Sequence, residues 1–428
     1  MSSALPALFI YTSTVNAEII AVGSELLTPF RMDTNSLYLT EQMNQLGVEV
    51  IFKSIVGDDR SHIVAAAQHA LFRSEIVIFS GGLGPTEDDL TREAVAEALG
   101  VTLRRDEDVL AHIEQRFAAR GWKMSANNVK QADVLEGSTV LPNPNGTAPG
   151  QWLSGNFDGR ENIIILLPGP PHELKALFET ECRERLRAKL PVAHIATRVL
   201  KIAMLGESLV DARVAPIYKR FTDVQTTILA GAGEIQLHFK SRAESLEAAQ
   251  ARVDEAADAV EEELDDAVYS RDGQSLEQIV GYWLQMRNAT LAVAESCTGG
   301  LLGERITSVA GSSRYFAGGA IVYSNSLKTE LAGVPADMIE RHGAVSREVA
   351  AALAEGIRYR SEATLGVGIT GVAGPNGGTP DKPVGLVFHA LASANGTEVI
   401  ERNFSGDRNR IRWFASTLAL DMVRRNLM

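Results

Sequence analysis

Ile76-Val77-Ile78-Phe79-Ser80-Gly81-Gly82-Leu83-Gly84-Pro85-Thr86-Glu87-Asp88-Asp89 is the stretch on which the fold turns. Four consecutive apolar residues read as a buried strand, and the glycines after them read as a tight loop. The segment Asp88 to Leu99, stopped by Gly100, reads as a helix. A strand, a glycine-rich turn and a helix form half of a parallel βαβ unit. The same alternation extends both ways. Upstream, Glu18 to Val22 predicts a strand, Asn35 to Leu46 a helix, Val48 to Phe52 a strand and Arg60 to Phe72 a helix. Downstream, Ile163 to Leu167 predicts a strand and His172 to about Leu190 a helix. Apolar strands alternating with helices predict an α/β domain built on a parallel sheet over residues 16–190. Residues 1–15 read as an N-terminal tail.

The alternation breaks over residues 191–272. Val199 to Leu205, Thr226 to Leu229 and Ile235 to Phe239 read as strands, and Glu244 to Leu264 as one long helix. This is a small α+β module without clustered catalytic residue types, so a spacer or dimerisation role is expected. After the turn Arg271-Asp272-Gly273, βα alternation resumes and predicts a second α/β domain over residues 275–428. Its strands are expected at Thr290 to Ala294, Gly318 to Tyr323, Thr364 to Ile369 and Val384 to Leu391. Its last helix is expected at Ile411 to Arg425.

The chain has 428 residues, with 41 basic and 54 acidic side chains and a net charge of −13. Residues 275–428 carry 15 basic and 14 acidic side chains, so the excess lies before them. Ser241 to Asp272 alone holds 3 basic and 11 acidic residues, which reads as a solvated helix face. An acidic chain does not draw nucleic acid or anionic lipid by its bulk field, so neither partner is expected. The two cysteines, Cys182 and Cys297, exclude a disulfide scaffold and a cysteine zinc site and fit a reducing cytosol. No Lys or Arg precedes Arg31, so no secretory signal is expected and the protein is expected in the cytoplasm.

Two clusters carry chemistry. In the first, the Ser80 to Pro85 turn exposes backbone N–H groups at a helix entrance, which suits a phosphate. It is neither a Walker loop nor GxGxxG. Glu87, Asp88 and Asp89 add hard oxygen ligands suited to Mg²⁺ beside a phosphate. The bland alternative is a capped helix, with Thr86 as the cap and acids in the first turn. Three further loops follow strands or lie between them: Gly23 to Leu27 with Asp33-Thr34-Asn35, Asn143 to Gly150, and Leu167 to Pro171 with Glu173. Ligands of parallel sheets bind outside the carboxyl ends of strands.

The second cluster is Ala294-Glu295-Ser296-Cys297-Thr298-Gly299-Gly300, which ends a strand and opens a helix. A nucleophile there has N–H groups nearby for an oxyanion. The domain's histidines, His342 and His389, fall in no catalytic motif, so the base candidate is a lysine. Lys328, after Tyr323-Ser324-Asn325, sits in an apolar setting where desolvation favours the neutral amine. Its bland alternative is an exposed helix lysine. Thr370, in Thr370 to Pro375, is a further donor candidate, and Arg408 and Arg410 are phosphate or surface cations. Ser296 and Cys297 compete as nucleophile, and Ser296 is preferred because the motif offers the thiol no His partner.

Ser80 to Thr91, Asn143 to Gly150 and Leu167 to Glu173 resemble the N-terminal domain of the competence/damage-inducible protein A (CinA) family. That domain is similar to the molybdopterin-binding fold. The resemblance implies a Mg²⁺-dependent ADP-ribose pyrophosphatase, as in some members. The nucleotide-binding candidates are Gly81, Gly82, Gly84, Thr86, Asn145 and Thr147 from these segments and Glu25 and Asn35 from the loops after the first strand, with Asp88 and Asp89 as candidate metal ligands. The AESCTGG, YSNxxK and TGxAGP motifs resemble the C-terminal CinA domain, a nicotinamide mononucleotide deamidase. Ser296, Tyr323, Lys328 and Arg410 are its implied catalytic residues, Thr370 joins them as the donor candidate read from its loop, and no cofactor is implied for the deamidase. The resemblance covers nearly the whole chain, and a homodimer is expected. Two functions stay open at this point: a hydrolase of nicotinamide mononucleotide and ADP-ribose, or a pterin- or nucleotide-binding protein without turnover.

Overall fold

A computed structural model describes residues 15–157, 159–191 and 193–428, so all but the end of the expected tail at 1–15 lies outside the described residues. The N-terminal sheet contains strands β1 (Asn16–Val22), β2 (Glu49–Val56) and β3 (Ile76–Ser80). A separate short ribbon pairs β4 (Leu103–Arg105) with β5 (Asp133–Leu135). The main sheet is completed by β6 (Thr139–Leu141), β7 (Gly150–Phe157) and β8 (Arg160–Leu167), in the order β2-β1-β3-β8-β7-β6. The first four of these are parallel, and β7 and β6 add antiparallel pairings. The expected parallel sheet is therefore a mixed one. The helices are α1 (Asn35–Gln45), α2 (Arg60–Arg73), α3 (Thr91–Leu99), α4 (Glu107–Ala119), α5 (Pro171–Leu177) and α6 (Arg183–Lys189).

Successive strand residues point to opposite faces, and both faces here are covered. Ile19, Ile78 and Ile165 pack with Leu39, Met43 and Leu174. Ile20, Val77, Phe79 and Ile164 pack with Ile63, Ala67 and Val95 on the other face. Each such side chain contributes about 2 kcal/mol when buried. In register, Ala21 lies opposite Ser80, and Ser80 opposite Leu167. The carboxyl ends of β1, β3 and β8 therefore finish together, and their loops form one cluster.

Two helix expectations need correction. The helix expected from Asp88 begins at Thr91. Asp89 Oδ2 accepts the Thr86 N–H at 2.9 Å and its hydroxyl at 2.5 Å, so residues 86–89 close as a turn ahead of the helix. The helix expected from His172 to Leu190 is α5 and α6 joined by a wider π turn at Phe178–Cys182.

The middle module comprises β9 (His194–Ala203), α7 (Glu207–Tyr218), β10 (Val224–Gly231), β11 (Glu234–Ala243), α8 (Leu246–Leu264) and β12 (Val268–Ser270). Its sheet order is β10-β11-β9-β12. On β11, Ile235, Leu237 and Phe239 are buried at every second position. On α8, Ala249, Val253, Ala256 and Val260 are buried at helical spacing, which leaves the acidic residues to the other face.

The C-terminal domain runs through α9 (Leu276–Met286), β13 (Leu291–Glu295), α10 (Leu301–Thr307), β14 (Phe316–Ile321), α11 (Asn325–Ala332), α12 (Ala336–His342) and α13 (Arg347–Ser361). It ends with β15 (Leu365–Gly371), β16 (Leu386–Ser393), β17 (Gly396–Asn403) and α14 (Arg408–Leu427). The sheet order is β14-β13-β15-β16-β17, with β13 parallel to both neighbours and the last two pairings antiparallel. The sequence pattern missed β17 because this edge strand is mostly polar and half exposed. The chain divides into two compact units, one running to Ile195 with Arg242–Ala249, the other made of Ala196–Ser241 and Gln250–Met428. Ala203 and Tyr269 of the middle module share a hydrophobic core with Leu276, Val280, Leu291 and Val293.

Helix α13 depends on a glycine. A Cβ on Gly356 would stand 1.6 Å from the Ala332 carbonyl oxygen at the end of α11. Gly356→Ala is expected to lower stability by about 3 kcal/mol, because backbone must move. Urea denaturation checks this, and an unchanged midpoint would mean the two helices separate freely. No helix among the described residues is long and apolar enough to cross a membrane.

Candidate active sites

The N-terminal loops enclose a cavity of about 670 Å³. Gly81 and Gly82 adopt positive φ, where side chains are disfavoured. A Cβ on Gly81 would lie 2.2 Å from Val22 O, and one on Gly82 2.1 Å from Thr91 Oγ1. The loop is tied from several directions. Gly81 N–H donates to Leu167 O, and Thr91 N–H to Gly82 O. Buried Arg92 donates to the Leu83 and Gly84 carbonyls at 2.6 and 3.0 Å, and Lys130 Nζ to the carbonyls of Thr86 and Asp89 at 2.7 and 2.9 Å.

Of the candidate ligands, Glu25, Asn35, Gly81, Gly82, Gly84, Thr86, Asp88, Asp89 and Thr147 line the cavity. Asn35 donates to Ser80 Oγ and Gly169 O. Asn145 is absent from the lining, and its amide donates instead to His172 O at 3.2 Å, tying its loop to the start of α5. The lining holds six carboxylates, from Glu25, Asp33, Asp58, Asp88, Asp89 and Glu173, and one cation, Arg31. Among the described residues, no three His, Cys, Asp or Glu side chains gather as a metal cage. Mg²⁺ does not require one, since it is held by one or two carboxylates together with substrate phosphates. The donor set therefore fits that ion, with Asp88 and Asp89 both beside the Thr86 turn that Asp89 caps.

The second site lies at the carboxyl end of β13. Ser296 follows that strand and donates its N–H to Ile369 O of β15 at 3.0 Å. Lys328 reaches it from α11. Ser324 caps this helix by accepting the Leu327 N–H, and Gly333 ends it with positive φ. Helical side chains lean toward the N-terminus, so Lys328 points back along α11. Its Nζ lies 3.1 Å from Ser296 Oγ, 2.9 Å from Val322 O and 3.3 Å from Tyr323 O.

Lys328 is buried at 2% exposure, and its hydrogen-bond partners among the described residues are that hydroxyl and two carbonyls, with no carboxylate. Burial holds its pKa below the ordinary lysine value. Two carbonyls and one hydroxyl can take the three donors of the ammonium, and once the amine is neutral its lone pair can face the Ser296 hydroxyl. The Cys297 thiol is different. Burial pushes it up to about 12, so it stays protonated within the core.

Tyr323 is mostly exposed, and its hydroxyl meets Arg408 Nη2 at 3.1 Å. Arg408 Nη1 donates to Gly374 O at 2.7 Å, linking Tyr323 to the loop after β15. Arg410 is placed differently from Arg408. Its guanidinium lies over the Phe414 ring, 5.4 Å from the centroid. The reason is helical periodicity: Arg408 and Arg412 share one face of α14, and Arg410, about 200° around from Arg408, does not. Arg412 donates to Thr298 O through Nε at 3.0 Å and Nη2 at 2.7 Å. Thr370 is buried and donates its hydroxyl to Ala344 O at 2.7 Å, so that proton is already engaged.

The chain matches three family models: "Probable molybdopterin binding domain" over residues 18–188, "Damage-inducible protein CinA KH domain" over 197–270 and "CinA C-terminal domain" over 273–427. It is 62% identical over 412 residues to a CinA-like protein of Koribacter versatilis, covering 96% of this chain and 100% of that protein. The chain belongs to the CinA family. CinA-like proteins of Acidobacterium capsulatum and Solibacter usitatus are 60% and 51% identical, each over 96% of this chain and over 100% and 98% of their own lengths.

Within this CinA-family chain, sequence reading assigned no role to Glu295, Arg412 or Arg92. Glu295 stood inside the quoted motif, and a carboxylate closing an apolar strand was its signal. Arg92 and Arg412 carried none, because an arginine near the start of a helix is ordinarily a surface charge.

Proposed function

We propose that the C-terminal domain hydrolyses the carboxamide of nicotinamide mononucleotide to nicotinate mononucleotide and ammonia. The observation that carries this reading is a buried lysine, free of carboxylates among the described residues, 3.1 Å from the hydroxyl of Ser296. Ser296 Oγ attacks the amide carbonyl carbon while its proton passes to Lys328 Nζ. The tetrahedral intermediate expels ammonia, which takes that proton from Lys328, and an acyl-Ser296 ester remains. Water, deprotonated by Lys328, then attacks the ester, and the carboxylate leaves with Ser296 restored. Tyr323 and Arg408 lie at the exposed side, where Arg408 is suited to pair with the nucleotide phosphate. Ammonia and nicotinate mononucleotide formation from nicotinamide mononucleotide tests the reading. Their absence under saturating substrate would leave the binding-only alternative.

For the N-terminal domain the proposal is Mg²⁺-dependent cleavage of ADP-ribose. The acidic lining supports it, since a pyrophosphate entering six carboxylates needs a cation to offset the charge. Asp88 and Asp89 would hold Mg²⁺, which would supply charge neutralisation to the pyrophosphate. Asp88→Asn is expected to lower AMP formation from ADP-ribose by about tenfold or more, since removing a ligand costs at least what removing a ligand's hydrogen-bond partner does. Ammonia release should not change. Wild-type protein that yields no AMP with Mg²⁺ would end the pyrophosphatase proposal.

A further inference from the structure

Glu295 is the last residue of β13, directly before Ser296, and it is 2% exposed. Leu291, Ala292, Val293 and Ala294 before it are all buried and apolar. A carboxylate in such a place is costly unless hydrogen-bonded. No cation pairs with it among the described residues. Its partners are backbone amides: Oε2 accepts the N–H groups of Gly300 and Leu302, each at 3.0 Å, and Oε1 accepts that of Gly303 at 2.8 Å. The start of α10 is thereby closed by a side chain from the strand that precedes it.

The turn between them contains two glycines with positive φ, Gly299 at 61° and Gly300 at 93°. Such a turn has many backbone options until it is tied. Three ties hold it. The Ser296 N–H fixes its start on Ile369, Arg412 holds the Thr298 carbonyl, and Glu295 anchors its far end. The Gly300, Leu302 and Gly303 amides are engaged by Glu295. The Thr298 amide has no acceptor among the described residues, and the Cys297 amide meets only its own thiol.

We propose that Glu295 is a positioning residue for amide hydrolysis at Ser296. It locks the 296–300 turn so that Ser296 Oγ stays against Lys328 Nζ. By occupying the amides of α10, it also leaves those of Cys297 and Thr298 as the donors for the oxyanion of the tetrahedral intermediate. The inference rests on the deamidase reading. Glu295 itself touches neither substrate nor the reacting atoms, so its loss acts on turnover and not on substrate binding.

The test uses the full chain and two variants, Glu295→Gln and Glu295→Asp. Gln presents an N–H₂ to an amide donor, and Asp withdraws the carboxylate by one methylene. Near-ultraviolet circular dichroism and thermal melting establish that each is folded. Steady-state ammonia release from nicotinamide mononucleotide gives kcat and KM separately. Both variants are expected to lose about a hundredfold or more in kcat, with KM within about threefold of wild type, a loss of the size seen on removing one oxyanion donor. A folded variant with kcat within threefold of wild type overturns the proposal, as does a raised KM with unchanged kcat. If Glu295→Gln fails to fold, Glu295→Asp, which keeps the charge, decides alone. A wild-type chain that releases no ammonia defeats the deamidase reading instead, and that result is read before either variant is made.

Discussion

Ser296→Ala is expected to abolish ammonia release from nicotinamide mononucleotide, with a loss in kcat of at least about a thousandfold and no change of fold. Losing a covalent nucleophile removes the whole two-step route, so the effect belongs with the largest single-residue losses. The fold should survive because Ser296 is held by its backbone N–H on Ile369, which alanine retains. Cys297 supplies the control. Its thiol is buried in the core and protonated far above neutral pH, so Cys297→Ala removes a packing group and keeps the amide. That variant should stay within about tenfold of wild type. If the Cys297 variant is dead and the Ser296 variant is active, the nucleophile has been assigned to the wrong residue.

Lys328→Met is expected to cost at least about a hundredfold in kcat, the lower end for a positioned general base. Methionine keeps a similar unbranched stem, so the cavity around it stays filled. The pH dependence has a definite sign. The base must be neutral, so the rate rises with pH as Lys328 loses its proton. Burial lowers the lysine pKa, which places this rising limb below the ordinary lysine value of 10.5. The limb should vanish from the residual activity of Lys328→Met. Near-normal turnover, or a rising limb that persists unmoved, would return Lys328 to a structural role. The two carbonyls of Val322 and Tyr323 that face its Nζ would then be its only purpose.

Periodicity and punctuation made much of this molecule legible. The apolar runs at Ile76 to Phe79 and Ile163 to Leu167 read as buried strands between helices, and β3 and β8 are such strands. The motif around Ser296 and the lysine after Tyr323-Ser324-Asn325 named a nucleophile and a base, although 32 positions separate them in the chain. Local chemistry suffices for such features, because a strand, a cap or a glycine turn is decided by neighbours in sequence.

What the sequence left open depends on groups distant along the chain. Asp88 and Asp89 read as the first turn of a helix, but the Asp89 bonds to Thr86 close a separate turn first. Arg408 and Arg410 were both phosphate candidates and the resemblance favoured Arg410, whereas the phase of α14 brings Arg408 to Tyr323 and lays Arg410 over Phe414. The buried, carboxylate-free setting of Lys328 requires Ser296 from a strand loop and two carbonyls from before α11 to converge on one nitrogen. Residue type sets which chemistry is possible at each position. The tertiary fold decides which groups lose water and which meet, because desolvation and hydrogen-bond distance belong to the packed structure alone.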